Sequence, residues 1–188
     1  MLATISREVA LRELDIEHQA VRDLINELTD EEKTRSNTIR YGLYPDQKLS
    51  FKDLLAHLIT YEAYTIEAVE AWKRGEKHWT IDAMQSESGG RKIHYAGIED
   101  RRKQSLTETL DEWQQTQYAL MAMIRKLTDA DWKQAAPFPT DEPLDLGGVL
   151  EIILVAPPRP PYRHLPVHIP DSEAYIQSLR SPKRAINA

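Results

Sequence analysis

The sequence predicts an all-α protein, a four-helix bundle with a pseudo-twofold internal repeat and a proline-rich break before the last helix. Three observations carry this expectation. Leu11, Leu14, His18, Val21, Ile25 and Leu28 recur at alternating steps of three and four residues, the spacing of one helix face. A shift of 99 residues carries this set onto Leu110, Trp113, Gln117, Leu120, Ile124 and Leu127, and carries Thr29-Asp30 onto Thr128-Asp129. Each unit is then followed by a loop and a second helix start, at Ser50-Phe51-Lys52-Asp53 in one half and Leu144-Asp145-Leu146 in the other.

Taken in order, the first stripe ends at Thr29, where Thr29 to Glu32 form a capping box able to start a short turn. A polar loop follows, and a helix then runs from Ser50 to about Arg74, with Gly75 as its stop signal. Gly75 to Gly90 is expected to be a connector between the halves, long because it crosses the bundle. The second stripe opens on the box Ser105 to Glu108 and ends at Thr128. The fourth segment cannot be one helix. Pro157, Pro158, Pro160, Pro161, Pro166 and Pro170 each lack a backbone donor and clash with the preceding turn, so a break falls between Ala156 and Asp171. Asp171 or Ser172 caps a last turn or two up to Arg180, residues 181–188 are a frayed tail, and one domain spans residues 1–188.

Composition narrows the function. The 188 residues hold 24 Lys and Arg against 30 Asp and Glu, a net charge of −6, which disfavours nucleic acid and anionic membranes as partners. The apolar stretch Val149 to Ala156 is far shorter than the ~20 residues a membrane span needs. With no cysteine, disulfides, thiolate zinc sites and a protein thiol nucleophile are excluded. Arg7, Glu8, Arg12 and Glu13 leave no apolar signal segment near the start, and a cytoplasmic location is expected.

Several polar residues stand where apolar ones are expected. Glu62 falls near the centre of the apolar arc of the second helix, with Tyr61 just inside that arc and His57 and Tyr64 at its edge. His18 and its repeat mate Gln117 sit in the middle of their stripes. At 1.5 Å per residue, His18, Gln117 and Glu62 all lie roughly 15 to 18 Å from the shared end of the bundle, so they could share one layer. One reading is a satisfied polar layer of mutually bonded side chains, and the other is a site. His164-x-x-x-His168 places two imidazoles four residues apart, a spacing that on a helix suits two positions on a metal. The other reading there is a proline-rich loop with exposed histidines. His78 and His94 are expected to be surface histidines. No H-E-x-x-H, G-x-S-x-G or phosphate-loop string occurs, and the two E-x-x-H helices of a di-iron bundle are missing.

The string Ser50-Phe51-Lys52-Asp53-Leu54-Leu55-Ala56-His57-Leu58-Ile59-Thr60-Tyr61-Glu62 resembles the D-L-x-x-H-L-x-x-W-E helix of the DinB/YfiT-like superfamily, with Tyr61 in the aromatic slot. Pro161-Tyr162-Arg163-His164 through His168-Ile169 resembles the tail of its ClbS/DfsB branch. The resemblance implies a four-helix bundle, often dimeric, in which His57, His164 and His168 hold a divalent metal of the zinc or nickel type. It also implies either hydrolysis of a small electrophile or transfer of a low-molecular-weight thiol to it. Glu62 or Tyr61 would carry the proton, and His18, Gln117, Tyr64 and Tyr162 are the candidate substrate contacts. The family pattern keeps both tail histidines near the start of a continuous fourth helix. Here they come level with His57 only if the last helix restarts at the proline run and Leu146 to Ala156 is a separate element.

Two alternatives remain open. A ClbS/DfsB-like protein would protect against a reactive metabolite without the metal, as hydrolase or sequestering protein, with Glu62 doing the chemistry and His18 orienting it. A non-catalytic bundle would bind an apolar ligand or dimerise, with structural histidines and with Tyr61, Tyr64, Trp72 and Trp79 lining its pocket.

Overall fold

The computed structural model describes residues 1–41, 44–155 and 162–181. Helix α1 (Arg7–Glu27) starts where the Ser6 side chain accepts the Val9 N–H, and α2 (Asp30–Thr34) starts at the expected Thr29 to Glu32 capping box. The polar loop expected next is instead an antiparallel hairpin of β1 (Ile39–Tyr41) and β2 (Tyr44–Leu49), with Ile39 opposite Leu49 and Tyr41 opposite Tyr44. Pro45, Asp46, Gln47 and Lys48 interrupt the apolar alternation that marks a strand, and this hides the pairing in the sequence. Helix α3 (Phe51–Lys73) opens on a reciprocal box between Ser50 and Asp53. It stops at Gly75, whose φ of 77° is a left-handed conformation that costs glycine little.

The expected connector is the largest departure in the fold. It contains α4 (Trp79–Ala83) and leads into α5 (Glu87–Arg101), a 15-residue helix packed along α3. Gly89-Gly90 obscures α5 in the sequence, since each glycine costs a helix interior about 1 kcal/mol relative to alanine. The fit of α5 on α3 is close. A Cβ on Gly97 would stand 1.9 Å from Thr60 Oγ1, so only glycine lets the two backbones approach this far. Arg101 then ties the layer together, donating to Thr60 Oγ1 at 3.1 Å and to Glu112 Oε1 at 2.6 Å.

Helix α6 (Leu106–Lys126) and the short α7 (Asp129–Trp132) open on the boxes Ser105/Glu108 and Thr128/Asp131. Helix α8 (Leu146–Val155) is capped by Asp145, whose carboxylate accepts the Gly148 N–H at 2.7 Å. All ten residues of α8 are buried, including Glu151, which accepts the backbone N–H groups of Thr4 and Ile5. The next described helix is the single turn α9 (Leu165–His168), with Pro166 in its first turn where no donor is missed, followed by α10 (Ser172–Arg180) capped by Asp171. Pro157, Pro158, Pro160 and Pro161, and the tail from residue 182, lie outside the described residues.

The protein is thus helical, with six helices of nine residues or more among the described residues and α3 at the centre, packed against α5, α6 and α8. The apolar core forms two clusters. One gathers Phe51, Leu54, Leu55, Val21, Leu24 and Trp113, and the other Val69, Trp72, Leu14, Leu120, Ile124 and Val149. Between them, at the middle turns of α1, α3 and α6, lie the buried polar residues Glu17, His18, Glu62 and Gln117. No helix of the described residues is long and apolar enough to cross a membrane.

Candidate functional site

His57 leaves α3 about two turns after its N-cap, and α9 with its N-cap residue brings His168 and His164 to it. One ring nitrogen from each of the three lies within 4.8 Å of the other two. His57 Nε2 is 3.1 Å from His164 Nε2 and 3.2 Å from His168 Nε2. Ligands around a tetrahedral zinc at ~2.0–2.1 Å stand roughly 3.3 Å apart, so this spacing fits one metal ion held by three imidazoles. Protonation supports the fit. His164 Nδ1 lies 2.8 Å from the Leu154 carbonyl oxygen, a contact that requires the proton on Nδ1 and leaves Nε2 of the neutral ring as a lone pair aimed at His57. That lone pair accepts either a ring N–H of His57 or a cation, and one divalent ion could face all three rings at once.

The tail histidines are held by contacts that the sequence does not announce. The Glu17 carboxylate on α1 accepts the Leu165 N–H and stands 3.5 Å from the Arg163 guanidinium. Burial pushes the Glu17 carboxyl up to about 7, outweighing the Leu165 N–H and the nearby guanidinium, which pull it down. On the far side of His57, His94 of α5 places its Nδ1 2.7 Å from His57 Nδ1. His94 is 2% exposed and its imidazolium is pressed down to about 4 by burial, so the expectation of a surface histidine is wrong. The signal that could have found it is the apolar spacing Ile93, Gly97, Ile98, which turns the neighbouring His94 inward. Glu17 gave no comparable signal, since the backbone that buries it comes from 148 residues further along the chain.

Beside the three histidines lies a small cavity of about 20 Å³, room for one water, lined by Tyr61 and His164 together with Glu17, His18, Glu62, Trp113 and Tyr162. His18 Nε2 bonds Glu62 Oε1 at 2.7 Å, so two members of the expected polar layer do pair. The third does not join them: Gln117 accepts from Arg22 Nη1 at 2.9 Å. Glu62 Oε2, Trp113 Nε1 and the Tyr162 hydroxyl have no hydrogen-bond partner among the described residues. Tyr162 also has a φ of 60°, a left-handed conformation that a tyrosine adopts only at a cost, and burial raises its phenol well above the ordinary range. Tyr61 packs its ring edge-on against His57 and His164, with centroids 4.7 and 5.0 Å away. Tyr64 is elsewhere, facing Trp79 and His78, and it does not reach the cavity.

The family model of the DinB superfamily matches residues 13–155 of the chain. Among solved structures, the crystal structure of an uncharacterised protein from Escherichia coli UTI89 superposes with a TM-score of 0.61 at 12% identity, covering 95% of this chain and 91% of that one. That likeness is one of fold. Among curated proteins none matches.

Proposed function

On the premise that this chain belongs to the DinB superfamily, we propose that it binds one divalent metal ion through His57, His164 and His168 and uses it on a small electrophilic molecule, by hydrolysis or by transfer of a low-molecular-weight thiol. The observation that carries this reading is the convergence of three imidazole nitrogens, with the His164 proton committed to the Leu154 carbonyl. A zinc or nickel ion there supplies Lewis acidity that favours the anionic form of a water or thiol nucleophile. The chain's own residues do the rest. Tyr61 walls the site on the α3 side, Glu62 is the candidate proton carrier, and His18 holds Glu62 in place from α1. His18 and Tyr162 border the cavity as substrate contacts.

The test is elemental analysis of purified protein. About one equivalent of zinc, nickel or a similar ion is expected, and His57→Ala or His164→Ala should abolish uptake. Protein that carries no metal and takes none up on addition would end this reading.

A second reading is favoured by the buried Glu62–His18 pair: a ClbS/DfsB-like protective hydrolase or sequestering protein that needs no metal. Glu62→Gln keeps the shape and removes the base. A folded variant that still clears or binds a reactive electrophile as well as wild type would reject it. The proposal extends to a duplicated helix-and-turn unit, to a cytoplasmic location and to a homodimer, the last measured by sedimentation.

A further inference from the structure

We propose that Glu17 is a positioning residue: from α1 it grips the tail on either side of His164 and so holds His164 and His168 against His57. The turn that carries them needs such a hold. A helix of one turn fixes its backbone torsions for very few hydrogen bonds and does not stand by itself. In α9 the Val167 N–H donates to the His164 carbonyl at 3.1 Å and the Ile169 N–H to the Leu165 carbonyl at 2.8 Å, while Pro166 has no N–H to give. The N-cap side chain, His164, does not turn back over the helix, because its ring faces the Leu154 carbonyl and His57. Leu165 anchors the turn by its burial in the apolar cluster that holds Val21 and Leu24, but apolar contact has no direction and does not fix where the two imidazoles point. Glu17 supplies the direction. Its Oε1 accepts the Leu165 N–H, the first donor of the turn, and its Oε2 lies 3.5 Å from the Arg163 guanidinium, so one carboxyl holds the residues before and after His164. Glu13, one turn earlier on α1, meets the same guanidinium at 3.6 Å. Glu17 is itself buried, and the next residue of its helix, His18, bonds Glu62 of α3, so the grip is taken from a fixed point. What the Leu165 N–H requires is an acceptor, and a carboxyl or an amide oxygen provides one whatever its charge.

The effect on metal affinity rests on the proposed metal site, whereas the grip itself does not, and two measurements separate them. Glu17→Met keeps the length of the side chain and removes the acceptor, which leaves a buried N–H unpaired, so hydrogen exchange at the Leu165 amide of metal-free protein should become about 10-fold faster or more. Glu17→Gln keeps an acceptor oxygen and should exchange like wild type. Zinc affinity, read by competition with a chromophoric chelator, should fall about 10- to 100-fold in Glu17→Met and stay within about threefold of wild type in Glu17→Gln. The visible spectrum of cobalt-loaded protein should change in the first variant and not in the second. A contribution to overall stability alone would move the urea midpoint and leave the affinity of the folded protein where it was. Unchanged Leu165 exchange in a folded Glu17→Met or, should that variant not fold, in Glu17→Ala overturns the proposal. So does wild-type zinc affinity in that variant, or a Glu17→Gln that loses zinc as badly. Failure of the wild type to take up zinc would instead reject the metal reading and leave Leu165 exchange to decide this one.

Discussion

Helices α1 and α2 and helices α6 and α7 are nearly the same object by their ends. Each pair is a 21-residue helix capped by a serine, followed by a short helix that opens on a threonine capping box; both bounds of the long helices and the starts of the short ones stand 99 residues apart. Their middles are not the same. In α1, Glu17 reaches out to the Leu165 N–H and His18 reaches out to Glu62. At the matching places in α6, the Thr116 hydroxyl bonds the Glu112 carbonyl of its own helix and Gln117 accepts from Arg22. Similar scaffolds therefore carry unequal polar contacts, and the candidate site lies where the two differ. Buried polar groups that reach across to another element are costly unless the partner is fixed, and only those of α1 reach α3 and the turn that carries the tail histidines.

If the scaffolds are equal, damage to either core should cost alike. Leu24→Ala in α1 and Leu120→Ala in α6 remove the same atoms from sites 1% and 0% exposed. Each should lose about 2–5 kcal/mol in urea unfolding, with metal stoichiometry unchanged in what still folds. A near-neutral result at either position breaks the equivalence.

The polar middle should separate the units by pH. A carboxyl at its ordinary 4.5 when unfolded and pushed up to about 7 when folded binds an extra proton in the native state between those values. The Glu17 contribution therefore falls as pH rises from about 4.5 to 7, by on the order of 3 kcal/mol at most. His94 slopes the other way. Its imidazole is pressed from 6.5 to about 4, so the unfolded chain binds more protons there and stability rises with pH across that window. The difference between wild type and Glu17→Gln isolates the first slope. Urea midpoints from pH 5 to 8 should converge at the acid end and diverge in favour of Glu17→Gln toward pH 7. Parallel profiles would show that Glu17 is not the titrating group.

Much of this architecture is legible in the sequence. The stripes, the capping boxes and the Gly75 stop are local signals, and helix starts and ends are decided by neighbours within four residues. The pairing of His18 with Glu62 was within reach because both fall on apolar arcs at similar depth. The remainder depends on contacts distant in sequence. Gln117 bonds Arg22 because α1 passes beside it, Tyr64 turns to Trp79 because α4 folds back, and His94 is buried because Gly97 lets α5 close on α3. The spacing offered His164 and His168 as a metal pair, and the family resemblance joined His57 to them. Spacing left helix or loop open there; His168 closes the single turn α9 and His164 is its N-cap.

The smallest test of the comparison concerns the two caps. Thr29 Oγ1 accepts the Glu32 N–H at 3.2 Å, and Thr128 Oγ1 accepts the Asp131 N–H at 3.1 Å. In each box the acidic side chain returns to the threonine N–H, at 2.8 Å and 2.7 Å. These backbone bonds hold both carboxyls below their usual range, so the caps strengthen folding above the unfolded pKa values and fade as pH falls toward the folded ones, the reverse of Glu17. One asymmetry remains: Arg180 from α10 also bonds Glu32, at 3.2 Å. Thr29→Ala and Thr128→Ala should therefore each cost about 1 kcal/mol near neutral pH, with Thr29→Ala the milder because Arg180 still steadies Glu32. Adding Arg180→Ala should bring the two costs together. If Thr29→Ala instead proves the more damaging and Arg180→Ala leaves the gap as it was, the two turns are held by different physics and the equivalence of the scaffolds fails at its most local level.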